Sequence, residues 1–148
     1  MIDIGDRRTI AATVSGLAMM AYFDDRDIDA ILLRTRRALA RYPRTNADNA
    51  RRQIDFARKH QYAISEGLVV DGVTGLGVAV PTPNGAPYLG VSATLVSAHP
   101  DAGRVRSVAA EMRRAALQVS AVLSPVPVPA SAKNRAPARR TRRPSRRR

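Results

Sequence analysis

The sequence predicts a mixed α/β fold of the α+β kind: an antiparallel sheet flanked by helices, followed by a disordered, arginine-rich C-terminal tail. Two observations predict it. Apolar residues recur at helical spacing up to about residue 60, then at a period of two through segments that read as a hairpin, then at helical spacing again to residue 123. The apolar side chains are also small: 148 residues hold 2 Phe, 4 Tyr and no Trp. Small residues let helices approach a sheet closely. At 16.0 kDa the chain supports one compact domain. It divides into a lead-in at 1–9, a body at 10–123 and a Pro/Ala/Arg-rich tail at 124–148.

The first amphipathic segment carries Ile10, Val14, Leu17, Ala18, Ala21 and Tyr22 in steps of three and four, with the helix entered near Thr13 to Gly16. Ser15-Gly16 early in it points to a close backbone approach. A second helix starts at Asp24-Asp25. With Asp24 as N-cap, Phe23 and Ile28 occupy the two positions of a hydrophobic staple, and Ile28, Ile31 and Leu32 form the buried stripe. Tyr42-Pro43 interrupts the chain, and Thr45 with Asp48 resembles a capping box for a third helix carrying Ala47, Ala50, Ile54 and Ala57. On its wet side Asp48–Arg52 and Asp55–Lys59 are spaced as i,i+4 pairs.

Beyond His60, Tyr62-Ala63-Ile64 reads as a short strand. Thr74 to Val80 alternates Leu76, Val78 and Val80 against Gly75, Gly77 and Ala79, and Asn84-Gly85 signals a hairpin turn. The return strand, Tyr88 to Leu95, puts Leu89, Val91, Ala93 and Leu95 on one face and Tyr88, Gly90, Ser92 and Thr94 on the other. One face of the hairpin is thus greasy and the other is small or hydroxylated. A last helix from about Asp101 to Leu123 has a stripe of Val105, Val108, Ala109, Met112, Ala116, Val119 and Leu123 that should cover a sheet. The prolines of 124–129 end it.

Charge separates body from tail. Of the net +13, residues 133–148 supply +9 with no acid, and the other 132 residues carry 16 basic and 12 acidic side chains. The tail arginines Arg139, Arg140, Arg142, Arg143, Arg146, Arg147 and Arg148 suit non-specific contact with DNA or RNA, weakening as salt rises. No aromatic is interleaved for base stacking. The absence of Cys excludes disulfides and thiolate metal sites, and no run reaches 18 apolar residues, so no membrane partner is expected. A cytoplasmic location is the expectation, since the N-terminus lacks the layout of a secretory signal.

Specific strings then meet this order of elements. Gly16-Leu17-Ala18 leads to Asp24-Asp25; Lys59 to Tyr62 closes a helix; Ser92-Ala93-Thr94 lies on the return strand of a hairpin. This combination resembles the effector-binding domain of the IclR family of bacterial transcription regulators over roughly residues 10–123. The resemblance implies a GAF-like domain that binds a small organic acid and controls transcription through a DNA-binding unit. Family members begin with a winged helix-turn-helix and further strands, so the chain looks like a partial, truncated member. Its expected partners are a second copy of itself, paired through helices and an open sheet edge, or an intact IclR-type subunit.

The resemblance and the residues together give a candidate effector site: the N–H groups near Val14, Ser15 and Gly16, the hydroxyls of Ser92 and Thr94, and Ser65 and Gly75. The last two stand where the family pattern has an acid and a Cys. The competing reading of these small side chains is plain packing or a wetted strand face. No cofactor is expected, and neither a metal site nor a catalytic constellation. Asp25, Asp27 and Asp29 open like a calcium loop, but Ala30 and Arg36 replace its Gly and its Glu. His60 and His99 have no ligand-spaced partner. The chain is therefore expected not to be an enzyme, and the runner-up reading is a nucleic-acid-associated protein acting through its tail.

Overall fold

A computed structural model describes residues 5, 7–42, 45–66, 72–83 and 85–123. The arginine tail and Asn84 lie outside the described residues. A 3-10 turn (Ile10–Ala12) leads into α1 (Val14–Met20), α2 (Asp25–Leu39), α3 (Ala47–His60), β1 (Ala63–Glu66), β2 (Thr74–Ala79), β3 (Gly90–Leu95) and α4 (Ala102–Leu123). The strands form one antiparallel sheet in the order β1-β2-β3.

The register explains the two layers. Leu76 pairs with Ala93 and Val78 with Val91, whereas Gly75 pairs with Thr94 and Gly77 with Ser92. The first set is packed under α4, where Leu76, Val78 and Val80 meet Val105, Met112 and Ala116. On the opposite face α1 lies on β2 and β3 and α3 lies on β1. There Leu17, Met20, Ile28, Leu32, Leu39, Ile54 and Ala63 make a second cluster.

The first helix is entered where expected: Thr13 is extended (φ −124°, ψ 142°) and its Oγ1 accepts the Gly16 N–H at 3.1 Å, so α1 begins at Val14, with a separate 3-10 turn at Ile10–Ala12 before it. The Asp24 cap is as expected, with Oδ1 accepting the Asp27 N–H at 2.8 Å; Ile28 is buried and Phe23 packs against the same cluster. The cap of α3 moves by one residue. Asn46 Oδ1 accepts the Asn49 N–H at 2.8 Å, and the Thr45 N–H goes to the Tyr42 carbonyl at 3.0 Å.

The paired charges also differ from expectation. Arg58 donates to the Ala21 carbonyl at 3.2 Å, the Phe23 carbonyl at 2.8 Å and Asp25 at 2.8 Å. Arg51 bridges Asp25 at 2.9 Å and Asp29 at 3.0 Å. Asp55 sits 3.8 Å from both arginines. The acids at the start of α2 thus clamp α2 to α3 and leave no loop open to calcium.

The hairpin strands are shorter than the alternation implied. Pro81, Pro83 and Pro87 have no N–H to donate to a ladder, and the expected Asn84-Gly85 turn falls on a residue outside the described ones. One ladder bond continues past the strand end, from the Val80 N–H to the Leu89 carbonyl at 2.9 Å. α4 starts where expected, with Asp101 capping the Arg104 N–H at 3.0 Å. Its buried stripe ends at Ala116; Val119 and Leu123 remain 39 % and 43 % exposed because the sheet beneath them has run out.

Candidate functional site

The seam between α1 and the sheet is set by glycine. A Cβ on Gly77 would stand 2.3 Å from the Val14 carbonyl carbon and 2.6 Å from the Ser15 nitrogen. Only a bare backbone at 77 lets the first turn of α1 rest on β2. Gly90 on β3 similarly leaves room for the Ser15 side chain, which a Cβ there would meet at 2.8 Å. Toward the other end of the strands the layers part, and a cleft of about 280 Å³ opens between the lead-in, the start of α1 and the small-residue face of the sheet.

Arg8, Ala12, Thr13, Val14, Ser15, Ser65, Val73, Gly75, Ser92 and Thr94 line this cleft. Val14, Ser15, Ser65, Gly75, Ser92 and Thr94 of the sequence-derived candidates are brought together there. Gly16 is not. It is buried behind the seam, a Cβ on it would strike the Ile10 carbonyl oxygen, and its N–H is used by the Thr13 cap. It shapes the turn and offers no donor to the cleft.

The side chains differ in how they face the opening. Ser65 is 8 % exposed. Ser92 and Thr94 are exposed on the edge strand β3. Gly75 holds no side chain, but its place is partly filled from above: the nearest Val14 methyl would lie 3.3 Å from a Cβ there. The space above Gly75 is therefore narrowed by a valine.

Arg8 was missed by sequence reasoning, which took residues 1–9 as a lead-in without function. No periodicity marks an arginine in an extended segment; its only signal was a cation just before a helix start. Among the described residues it is the one charged side chain lining the cleft, and its guanidinium carbon sits 5.9 Å from the ring centre of Tyr42 at the end of α2. The lining thus combines a cation and hydroxyls with the apolar side chains of Ala12, Val14 and Val73, a composition suited to an anion with a small apolar body.

His60 stacks on Phe56 with centroids 4.2 Å apart, and Tyr62 meets Phe56 edge-on at 5.4 Å, so that histidine is a packing residue. Among the described residues no cluster of His, Cys, Asp or Glu could hold a metal ion, and no helix is long and apolar enough to cross a membrane.

Comparison with known proteins follows the same line. Residues 1–121 match the family described as bacterial transcriptional regulator IclR, C-terminal. No curated protein matches the sequence. Among solved structures, the chain is similar to the Agobacterium tumefaciens repressor BlcR (17 % identity, TM-score 0.67), covering 82 % of this chain and 50 % of that one. It is similar to an IclR-type regulator from Silicibacter sp. TM1040 at 28 % identity and TM-score 0.63, covering 87 % and 51 %. An IclR homologue from Microbacterium hydrocarbonoxydans, solved in complex with 4-hydroxybenzoate, is similar at 19 % identity and TM-score 0.62, covering 82 % and 48 %. The chain spans about half the length of these regulators. The sequence match over 1–121 and the shared fold place it plainly: the chain belongs to the IclR family of bacterial transcriptional regulators, whose C-terminal domain it carries, and that is a regulatory domain and not an enzyme.

Proposed function

We propose that this domain senses a small organic acid in the cleft between Arg8, the start of α1 and the β2–β3 face, acting in the cytoplasm to control transcription through a DNA-binding unit. That unit is a winged-helix segment of the same protein or an intact IclR-type subunit, and a second copy of the domain is the natural partner for the edge of β3 that no strand among the described residues covers. The observation that carries the reading is that a cation, Arg8, shares the cleft with the hydroxyls of Ser65, Ser92 and Thr94. The aromatic acid bound by the Microbacterium homologue supports the same ligand class.

The energetics favour a compact ligand. The best very small ligands reach about −1.5 kcal/mol per heavy atom, so a six-atom acid is capped near −9 kcal/mol, roughly sub-micromolar. A charge-assisted hydrogen bond accounts for about 1.5–3 kcal/mol of that. The test is thermal shift of the full chain against short keto, hydroxy and aromatic monocarboxylates, each beside its neutral amide. The acids should raise the midpoint and the amides should not. Arg8→Gln should weaken binding by about 10- to 100-fold at unchanged stability. Ser92→Ala and Thr94→Val should each reduce the shift. If no acid stabilises wild type, or if all three variants keep its shift, the cleft is not an acid sensor.

A further inference from the structure

Helix α2 carries two different charge systems. Its first turns hold Asp25 and Asp29, which are bound by Arg51 and Arg58 of α3. Its outer surface carries Arg26, Arg34 and Arg37, with Arg41 in the turn that closes the helix; all four are exposed and none has an acidic partner among the described residues. At about 100° per residue, Arg26, Arg34 and Arg37 fall within about 80° of arc, centred opposite the stripe of Ile28, Leu32 and Leu39. From Arg26 to Arg41 the row runs about 22 Å. Asp27 flanks its first turn, and Leu33, 74 % exposed, is the large apolar side chain beside it.

The helix macrodipole does not account for this row. Cations at the C-terminal turn, Arg36 and Arg37, suit the negative end of the dipole. Arg26 sits at the positive end, where a cation is unfavourable, and Arg34 lies in between. Membrane attachment does not fit either. An interfacial helix needs a free apolar face, and that of α2 is already buried in the core with Ile28 and Leu32.

We infer that the outer face of α2 is a docking surface for the phosphate backbone of duplex nucleic acid, read without regard to sequence. Arginine forks pair two N–H groups with phosphate oxygens, and duplex DNA offers one negative charge per about 1.7 Å of axis. The face holds no Asn or Gln to read base edges, so it adds affinity and orientation only. The cationic tail, beyond the described residues, acts on the same polyanion. This surface is separate from the cleft and does not depend on acid sensing.

The test is binding of the full chain to a random-sequence duplex, by fluorescence anisotropy, across a salt series. Each phosphate neutralised contributes about 0.9 to the slope of log K against log salt. Combined Arg34→Gln, Arg37→Gln and Arg41→Gln substitution should lower that slope by about 2.7, while the matching three lysine substitutions keep it. The three single Gln variants, each lowering it by about 0.9, give the answer should the triple variant unfold. A slope unchanged by the Gln variants, an absence of duplex binding by wild type, or a loss of binding confined to phosphatidylserine vesicles or an acidic peptide overturns the inference.

Discussion

Gln61 shows how one residue carries both family and local physics. It is the non-glycine position with positive φ among the described residues (φ 65°, ψ 22°), and it ends α3 with its N–H given to the Ala57 carbonyl at 2.8 Å. The left-handed conformation costs an L-residue about 1–2 kcal/mol, and glycine is the usual solution at such a helix end. Part of the gain from Gln61→Gly is offset by the freer unfolded chain, about 0.4–1 kcal/mol, and by the lost Nε2 bond to the Arg58 carbonyl. The expected outcome is a net stabilisation of about 0.5 kcal/mol, read as a higher urea midpoint at unchanged slope. Asp25 makes a second residue-scale prediction. The Arg58 hydrogen bond, joined by Arg51, holds its carboxyl below the ordinary aspartate value. A depressed folded-state value contributes stability above the unfolded one and loses it as pH falls through the folded value. Asp25→Asn should therefore be less stable than wild type at neutral pH, and the two should converge in acid below the ordinary aspartate range. A constant gap across pH would show that charge is not the cause. The pair is exposed, so added salt should shrink the gap.

The elements were largely legible because their stripes are local. Ile28 and Leu32, or Ala50, Ile54 and Ala57, declare a buried helical face by spacing alone, and the alternation of Leu76, Val78 and Val80 against the glycines declares the two sides of β2. What was not legible depended on distant partners. The salt-bridge pattern is decided by a second helix, and the exposed end of α4 by how far the sheet extends. The cleft divides the same way: Ser92, Thr94 and Gly75 show on a strand face, whereas Arg8 comes to it from a segment with no periodic pattern. The glycines of β2 turn this into a measurable contrast. Gly77→Ala forces a methyl into the Val14–Ser15 backbone, which cannot move without shifting α1, so a loss of about 1–3 kcal/mol is expected. Gly75→Ala meets one Val14 methyl at 3.3 Å, with the other and Ser65 Oγ at 3.5 Å, and should change stability by less than about 1 kcal/mol while narrowing the cleft. Chemical denaturation of both variants checks the order, and equal losses would show that the seam is not set at 77.

At the scale of the whole molecule, β2 is the shared wall of both cores. Leu76 and Val78 are buried against α4, and the opposite side of the same strand receives α1 through Gly77. β2 also holds both other strands, so neither layer can be lost without exposing apolar surface of the other. A bond ties the layers directly: Arg113 of α4 donates to the His60 carbonyl at the end of α3 at 3.1 Å. Folding should accordingly be a single cooperative transition although the apolar residues form two clusters. Ile54→Ala, in the α1–α3 layer, should cost about 2–5 kcal/mol. Native-state hydrogen exchange should then show the slowest amides of α4 losing protection by the same free energy as those of α3, because both open through global unfolding. If α4 on β2 kept its protection while α3 lost it, the sheet would instead separate two independently opening units, and an acid held on one side could not act on the other through this strand.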